Sequence, residues 1–212
     1  DFDLFSHGSY AKAIEEKELT EVLSKILYPE DRHTEGKVLR LRQQYFFTSA
    51  TIQWIIRDFK ASGKSLKELD KYVQIQINDT HPAIGIPELM RILIDEEGFG
   101  WEEAWRVTTK TFAYTNHTVM SEALEKWTVN IMQKQLPRIY LIIEEINRRL
   151  EEDLKKRFGE DWGKINYLAV IAYDYINMAN LCVVGSHSVN GVSALHTEIL
   201  KNDLFKDFYR SE

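Results

Sequence analysis

Cysteine is nearly absent from this sequence of 212 residues, which contains one, Cys182. A single cysteine forms no disulfide within the chain, and such scarcity is typical of proteins from a reducing compartment. We therefore expect a cytoplasmic protein. Cys182 lies in the apolar run LCVV, which predicts a buried, small hydrophobic side chain rather than a reactive nucleophile.

Long apolar runs are absent too, and none approaches the roughly 20 residues that a membrane-spanning helix requires. The first residues, DFDLFSHGSY, lack the basic and apolar regions of a signal peptide and have no initiating methionine. We expect no membrane partner, and we expect the chain to be part of a longer protein. Lys and Arg number 27 against 33 Asp and Glu, and the net charge of -6 disfavours a nucleic-acid partner.

Several motifs with a known chemistry are also missing. The six histidines form neither H-x-x-x-H nor H-E-x-x-H, and no C-x-x-C accompanies them, so their spacing does not support a metal site. The G-x-S-x-G elbow, the P-loop and G-x-G-x-x-G are absent as well. With 44% hydrophobic and 28% charged residues, the composition is that of an ordinary folded domain.

Three polar segments each follow an apolar run in this sequence. VQIQI precedes NDTHP with His81, TFAY precedes TNHT with His117, and residues 181–184, interpreted as a third strand, precede GSHSVNG with His187. The segments between the first two runs have the apolar period of helices. Strands joined by helices predict a doubly wound, helix-rich α/β fold with about three parallel strands, in which ligands bind at the carboxyl ends of the strands.

We therefore expect His81, His117 and His187 to face one polar ligand crevice. Imidazole and amide groups donate and accept hydrogen bonds, as recognition of sugar hydroxyls requires. The alternative remains open that these polar residues only cap the helices that follow them. The segment EDRHTEGK leaves a similar choice between an ordinary surface loop and a mobile loop whose tip meets a ligand.

Helical periods account for much of the remaining chain. The spacing predicts a long helix over residues 41–59 that ends at Gly63, and another over residues 101–110. SEALEKW is predicted to begin a further helix with Ser121 as its N-cap. Pro137 is allowed in the first turn of a long helix whose mixed-charge face is expected to be solvated.

Six long segments of the chain are informative when they are considered together and in order. They are LYPEDRHTEGK, LRLRQQYFFTSATIQWIIRDFK, INDTHPAIGIPELMRILIDEEGFGWEEAW, AYTNHTVMSEALEKW, LPRIYLIIEEIN and GSHSVNGVSALHTEILK. In sequence and order they resemble the glycogen, starch and maltodextrin phosphorylases, which are α-glucan phosphorylases. The resemblance implies a two-domain glycosyltransferase of the GT-B type with pyridoxal phosphate between its domains. It also implies cleavage of terminal α-1,4-linked glucose by inorganic phosphate, which releases glucose 1-phosphate.

The resemblance implies roles for individual residues. His117 resembles the catalytic histidine that contacts the 6-hydroxyl of the glucosyl unit and whose backbone carbonyl faces the positive charge of the transition state. Val192 resembles the residue beside the sugar's hydroxymethyl group, and His81 resembles a histidine that lines the same cleft. Asn190 and His187 belong to the loop under the sugar.

A second group of residues resembles a loop and a regulatory helix of the family. Tyr28, Asp31 and Arg32 resemble the mobile gate loop over the catalytic site, with Asp31 as its substrate-facing acid and Tyr28 as the aromatic neighbour. The family often has asparagine where this chain has Arg32, which puts one sugar contact in doubt. Consecutive arginines bind the nucleotide activator of mammalian members, whereas this chain has Arg57 followed by Asp58. We therefore do not expect activation by AMP.

Residues 1–212 are expected to form part of the amino-terminal domain of such an enzyme. The resemblance assigns the cofactor lysine and the phosphate-binding residues to a carboxyl-terminal domain, so we expect no cofactor-binding residue and no metal ligand here. We expect the parent to be an allosteric homodimer, and the chain alone to be inactive and to self-associate. The alternative is a non-catalytic carbohydrate-binding or assembly module, since the helix from Leu136 resembles the region where regulated members hold polysaccharide.

Overall fold

A computed structural model describes residues 21, 23, 33–118, 120, 124–193, 197–198 and 200. The chain divides into two compact units, residues 1–47 and 48–212. In the first unit, the side chain of Gln43 donates a hydrogen bond to the backbone carbonyl of Leu23 at 3.2 Å, and Leu41 is buried. Within the described residues, no helix combines the length and apolarity needed to cross a membrane.

The described elements follow one another in mixed order. The helices are α1 Thr34–Ala61, α2 Leu69–Tyr72, α3 Gly85–Arg91, α4 Trp101–Thr111, α5 Val129–Gln135, α6 Pro137–Phe158, α7 Trp162–Leu168 and α8 Met178–Val184. The strands are β1 Ile75–Asn78, β2 Phe112–Asn116, β3 Lys126–Thr128, β4 Ile171–Ala172, β5 Tyr175–Asn177 and β6 Val189–Gly191. A 3₁₀ turn, Leu66–Glu68, precedes α2, and a π turn, Ile92–Glu96, continues α3.

Three strands of the second unit form a parallel sheet in the order β1-β2-β6. Ile77 pairs with Tyr114, and Tyr114 pairs with Val189. One face of the sheet is apolar, since Ile77 and Tyr114 are fully buried, whereas Gln76 and Asn78 on the other face are exposed. The α/β class and a sheet of about three parallel strands, as predicted from the sequence, are thus confirmed, although the third strand is not the one predicted.

A buried ion pair connects α3 with α1. Glu88 is fully buried and accepts hydrogen bonds from Arg91 at 2.8 and 2.9 Å. The hydroxyl of Ser49 on α1 donates to the same carboxylate at 2.7 Å. A buried carboxylate requires such partners because it has lost its hydration, so this cluster ties α3 to α1.

A second sheet is antiparallel, in the order β3-β5-β4. The hairpin between β4 and β5 turns through Tyr173 and Asp174, whose φ angles are 52° and 62°. Two consecutive positive φ values are typical of the type I′ turn that matches the twist of a hairpin. The sheet is fastened to α6 because the side-chain carbonyl of Asn147 accepts a hydrogen bond from the backbone of Ile171 at 2.9 Å.

Two predictions about secondary structure are wrong. Residues 181–184 are not a strand but the end of α8, in which Met178, Ala179, Leu181 and Cys182 are buried. This spacing is helical, and a short apolar run does not by itself distinguish a strand from a buried helix. SEALEKW does not continue as a helix, since Lys126 and Trp127 pair with β5, while its expected N-cap, Ser121, lies outside the described residues.

The predictions for the long helices are confirmed. Residues 41–59 lie within α1, and Gly63 follows its end with a φ of 73°, a conformation that glycine adopts without strain. Residues 101–110 lie within α4. Pro137 is the first residue of α6, where its missing N–H costs no helical hydrogen bond.

Candidate functional site

The carboxyl ends of β1, β2 and β6 lie at one edge of the sheet because the three strands are parallel. His81 follows the end of β1 by three residues, and His117 and Val192 directly follow β2 and β6. All three are exposed, Val192 to 58%. The structure therefore presents two imidazoles and one apolar side chain on one open edge, named here the carboxyl edge.

His187 does not belong to the carboxyl edge. It precedes β6, and its backbone N–H donates to the carbonyl of Phe112, the first residue of β2, at 3.0 Å. Its position is therefore the amino end of the sheet, and the prediction that three histidines face one crevice is wrong for this residue. The error comes from the misplaced third strand. If residues 181–184 were a strand, His187 would follow that strand, whereas in the structure His187 precedes β6.

The predicted gate loop falls on residues that the structure does not describe. Tyr28, Asp31 and Arg32 lie outside the described ranges. Their proposed contact with a ligand stays a prediction.

The chain reverses direction immediately after β1. Asp79 has a φ of 62°, its backbone N–H donates to the carbonyl of Thr115 at 2.9 Å, and its carboxylate accepts from the N–H of Thr80 at 2.9 Å. A left-handed conformation is uncommon outside glycine but is tolerated by aspartate, whose side chain bonds the local backbone. The predicted local bonding of the NDT segment is confirmed, and the turn directs the chain toward His81.

The end of β2 is shaped by a buried amide. Asn116 is fully buried, its Nδ2 donates to the phenol oxygen of Tyr114 at 2.9 Å, and its Oδ1 accepts from the backbone N–H of Thr118 at 2.8 Å. The second bond closes a short Asx turn across His117. Sequence reasoning did not single out Asn116, although a polar residue between an apolar strand and an exposed histidine is the signal that could have identified it.

Asn190 belongs to a row of polar side chains on the exposed face of the sheet. Gln76 donates to the hydroxyl of Thr115 at 2.7 Å, which donates to Oδ1 of Asn190 at 3.2 Å. Nδ2 of Asn190 donates to the carbonyl of Gly191 at 2.8 Å. Asn190 thus uses a donor and an acceptor within the sheet, and its second amide proton and second lone pair are the part of its capacity that a ligand could take.

The loop after β6 is held at its base. The N–H of Gly191 donates to the hydroxyl of Thr197 at 3.0 Å, and that hydroxyl donates to the carbonyl of Ser193 at 2.9 Å. The hydroxyl of Thr197 thus links Gly191 with Ser193, the residues on either side of Val192. The position of Val192 is therefore defined by backbone contacts on both sides.

Two buried ionisable groups lie behind the carboxyl edge. Burial raises the pKa of the Tyr114 phenol, and burial raises the pKa of the Cys182 thiol well above its ordinary range. Both groups remain protonated at neutral pH. The prediction that Cys182 is a buried hydrophobic side chain is confirmed, and no thiolate nucleophile arises from it. Within the described ranges, no three histidine, cysteine, aspartate or glutamate side chains are grouped so that they could hold a metal ion.

A second candidate site lies beside the antiparallel sheet. A cavity of about 500 Å³ is lined by Tyr167, Tyr173 and Tyr175 and by several asparagines. The three tyrosines are 50%, 79% and 46% exposed. Asn180 of this cavity donates to the carbonyls of residues 167 and 169 at 2.9 and 2.8 Å, which fixes the cavity wall. These tyrosines, which were not predicted from the sequence, offer exposed aromatic faces.

Comparison with known proteins identifies relatives over the whole chain. The Phosphorylase family model, described as carbohydrate phosphorylase, matches residues 1–212. The chain is 52% identical over 210 residues to glycogen phosphorylase 2 of Dictyostelium discoideum, covering 98% of this chain and 21% of that protein. It is 48% identical over 205 residues to glycogen phosphorylase of Bacillus subtilis, covering 97% and 26%.

The muscle form of glycogen phosphorylase from Oryctolagus cuniculus is 47% identical over 225 residues, covering 100% of this chain and 27% of that protein. The chain thus spans about a quarter of the length of the curated relatives it matches.

Proposed function

Because this chain belongs to the carbohydrate phosphorylase family, we propose that it is part of a longer enzyme that degrades α-glucan. The reaction is cleavage of a terminal α-1,4-linked glucose from glycogen, starch or maltodextrin by inorganic phosphate, with release of glucose 1-phosphate. The observation that carries this proposal is the parallel order of β1, β2 and β6, which brings His81, His117 and Val192 to the carboxyl edge.

The residues of this chain act on the sugar by positioning and electrostatics. The exposed imidazole of His117 hydrogen-bonds the 6-hydroxyl of the glucosyl unit, and its backbone carbonyl faces the positive charge that develops as the glycosidic bond breaks. Val192 packs beside the hydroxymethyl group, and His81 lines the same cleft. Asn190 supports the sugar through its remaining amide capacity and through the backbone of Gly191.

Pyridoxal phosphate, which the family implies, does not fit the residues described here. A cofactor bound through a lysine requires an enclosed lysine, and each lysine in the described ranges is exposed. As the family resemblance implies, we propose that the cofactor lysine belongs to the carboxyl-terminal domain of the longer protein, and we assign no step to the cofactor.

The compartment and assembly of the longer protein are further parts of the proposal. The single cysteine, buried and unpaired, supports a reducing cytoplasmic compartment. A homodimer under allosteric control rests on the family resemblance, and light scattering of the full-length protein tests the dimer. Since Asp58 follows Arg57, AMP is not expected to activate the enzyme.

The test is phosphorolysis of maltoheptaose by the full-length protein with pyridoxal phosphate, measured as glucose 1-phosphate. His117→Gln removes the imidazole that hydrogen-bonds the 6-hydroxyl but keeps the backbone carbonyl, so it is expected to lower kcat/KM by about tenfold, as loss of one hydrogen bond does. The chain alone is expected to release no product.

The matched control is His187→Gln, an exposed histidine of the opposite end of the sheet, which is expected to leave kcat/KM unchanged. Absence of product from the full-length protein would refute the proposed function. Equal losses in the two variants would refute the assignment of the carboxyl edge.

A non-catalytic role in carbohydrate binding is the second candidate, and the tyrosine-lined cavity favours it. Apolar ring faces with amides nearby suit a glucan, because a sugar presents apolar C–H faces and hydroxyl edges. Titration of the full-length protein with maltoheptaose, with Tyr173→Ala and Tyr175→Ala as variants, tests this role. Weaker binding with unchanged kcat would support it, and unchanged binding in both variants would exclude it.

A further inference from the structure

The last residue of β2 is a buried asparagine in an otherwise apolar environment. Phe112, Ala113, Tyr114 and Asn116 are all buried, and Asn116 is fully so. A buried amide is unfavourable unless its donors and acceptors are bonded. Packing alone therefore does not explain an asparagine at this position. Its role is indicated by the groups that its two hydrogen bonds contact.

The backbone is held on both sides of His117. On the amino side, Asn116 itself pairs in register with Gly191 of β6. On the carboxyl side, its Oδ1 accepts from the N–H of Thr118 at 2.8 Å. His117 thus lies between two anchored residues, which restricts the direction of its carbonyl and the base of its exposed side chain.

The N–H of Thr118 determines which way the amide of Asn116 points. If the amide were rotated by half a turn, Nδ2 would face this N–H, which is also a donor, and the bond would be lost. In the orientation that keeps the turn across His117 closed, the phenol oxygen of Tyr114 accepts from Nδ2 at 2.9 Å. Tyr114 therefore satisfies the buried amide donor and supports this orientation.

We infer that Asn116 is a positioning residue that fixes the backbone of His117 for the glucosyl-transfer step, with Tyr114 as the acceptor of its second side-chain hydrogen bond. The inference rests on the proposed function, since it acts through His117. A carbonyl that is complementary to charge in the transition state contributes to the rate only when it is held in place, and a misplacement of about 1 Å lowers rates by about 100-fold. Substitution of Asn116 should therefore lower kcat more than it raises KM.

The test compares four variants of the full-length protein in phosphorolysis of maltoheptaose, with kcat and KM determined separately. Asn116→Leu keeps the approximate volume and loses both bonds, and its kcat is expected to fall by about 100-fold with KM nearly unchanged. Asn116→Asp keeps an acceptor for Thr118 and a second oxygen to which the Tyr114 hydroxyl donates. It is expected to recover at least about tenfold of that loss, since a bond to a transition-state group is regained.

Tyr114→Phe and Thr111→Val separate positioning from stability. Tyr114→Phe leaves the bond to Thr118 in place, so its kcat is expected between those of the Asp and Leu variants at position 116. Thr111→Val removes another buried hydrogen bond, from its hydroxyl to the carbonyl of Val107 at 2.8 Å, at the opposite end of β2. It is expected to lower the melting temperature while leaving kcat unchanged.

Hydrogen exchange of the Thr118 amide supplies a readout besides activity. Exchange is expected to accelerate in Asn116→Leu and to stay slow in Asn116→Asp and Thr111→Val. The inference is overturned if Asn116→Leu retains the kcat of the active parent, if Asn116→Asp is no better than Asn116→Leu, or if Thr111→Val loses kcat to the same extent. An unsubstituted full-length protein that releases no glucose 1-phosphate overturns the proposed function itself.

Discussion

The same pair of chemical groups occurs in two regions of the molecule. At the carboxyl edge of the parallel sheet, Asn116 donates to the phenol of Tyr114 at 2.9 Å, and both residues are fully buried. On the hairpin of the antiparallel sheet, Asn166 donates to the phenol of Tyr173 at 3.4 Å, and Tyr173 is 79% exposed. The groups are identical, whereas their environments are opposite.

The difference shows which region is built to be rigid. Buried polar groups bind strongly to each other because water does not compete, and an unpaired one is costly, so such a network specifies one arrangement. Exposed phenols and amides exchange their partners with water at little cost and can adapt to a ligand. The parallel sheet thus suits the precise placement of His117, and the hairpin suits adaptable binding of a polymer.

The largest difference in stability is expected between a buried ion pair of α3 and an exposed ion pair of α6. Arg91→Ala leaves the fully buried carboxylate of Glu88 without its cation and is expected to reduce the free energy of unfolding by about 3 to 5 kcal/mol. Arg148→Ala removes a partner of Glu145 on the exposed face of α6 and is expected to lower the free energy of unfolding far less, because water and salt screen an exposed pair. Urea unfolding of both variants at neutral pH measures the two values.

Double replacement provides the control for the ion pair. Glu88→Met combined with Arg91→Met removes both charges and is expected to recover most of the stability lost in Arg91→Ala, because no charge is left unpaired. Similar losses in Arg91→Ala and Arg148→Ala would contradict the contrast between the regions.

Substitution of two glycines is expected to have the next largest effects on stability. A Cβ at Gly185 would lie 2.7 Å from two side-chain carbons of Ile86 on α3, whereas a Cβ at Gly163 on α7 would meet only the Asp161 carboxylate at 3.4 Å. Gly185→Ala is therefore expected to destabilise the protein by about 1 to 3 kcal/mol through overpacking. Gly163→Ala is expected to be neutral or to stabilise by up to about 1 kcal/mol, since alanine favours the helix.

Thermal unfolding of the two glycine variants provides the measurement. Adding Ile86→Val to Gly185→Ala shortens one of the two contacting branches and is expected to restore part of the loss. A Gly163→Ala variant as unstable as Gly185→Ala would show that packing near α7 is as tight as that near α8.

Sequence patterns predicted the elements whose signals are long or regular. Residues 41–59 and 101–110 are helical because their apolar period extends over several turns, and β1 and β2 were found because each apolar run ends in a polar cluster. The third strand was misplaced because β6 has three residues and no apolar run, while the apolar run before it is α8. The antiparallel sheet was missed for the same reason, since its strands have two or three residues.

The candidate site was predicted in part. His81, His117, Asn190 and Val192 do lie at or beside the carboxyl ends of the parallel strands, whereas His187 lies at the amino end because it precedes β6. Burial is a property of the folded chain, so the sequence pattern did not reveal that Asn116 is enclosed and bonded to Tyr114. That part of the site follows from packing and not from any local motif.

Removal of the phenol hydroxyls of Tyr114 and Tyr173 tests the contrast between the buried and the exposed tyrosine–asparagine pair. Tyr114→Phe leaves Nδ2 of the buried Asn116 without its acceptor and is expected to destabilise the protein by about 1 to 2 kcal/mol. Tyr173→Phe loses an exposed bond that water replaces, and its stability is expected to change by less than about 0.5 kcal/mol. Urea unfolding measures both, and equal effects would show that Asn116 finds another partner in the variant.

The smallest effect is expected from the charged surface of α6. Hydrogen bonds from Arg148 and Arg149 lower the pKa of Glu145 from 4.5 to about 2. A carboxylate with a lowered pKa stabilises the folded state fully above its unfolded value and loses that contribution as the pH falls through its folded value. The melting temperature of Glu145→Gln should therefore lie slightly below that of the unsubstituted protein above pH 4.5, by an amount equivalent to less than about 1 kcal/mol, and the two should converge as the pH approaches 2. A difference that stays constant over this range would mean that the glutamine variant is destabilised by altered packing of α6 and not by loss of the charge.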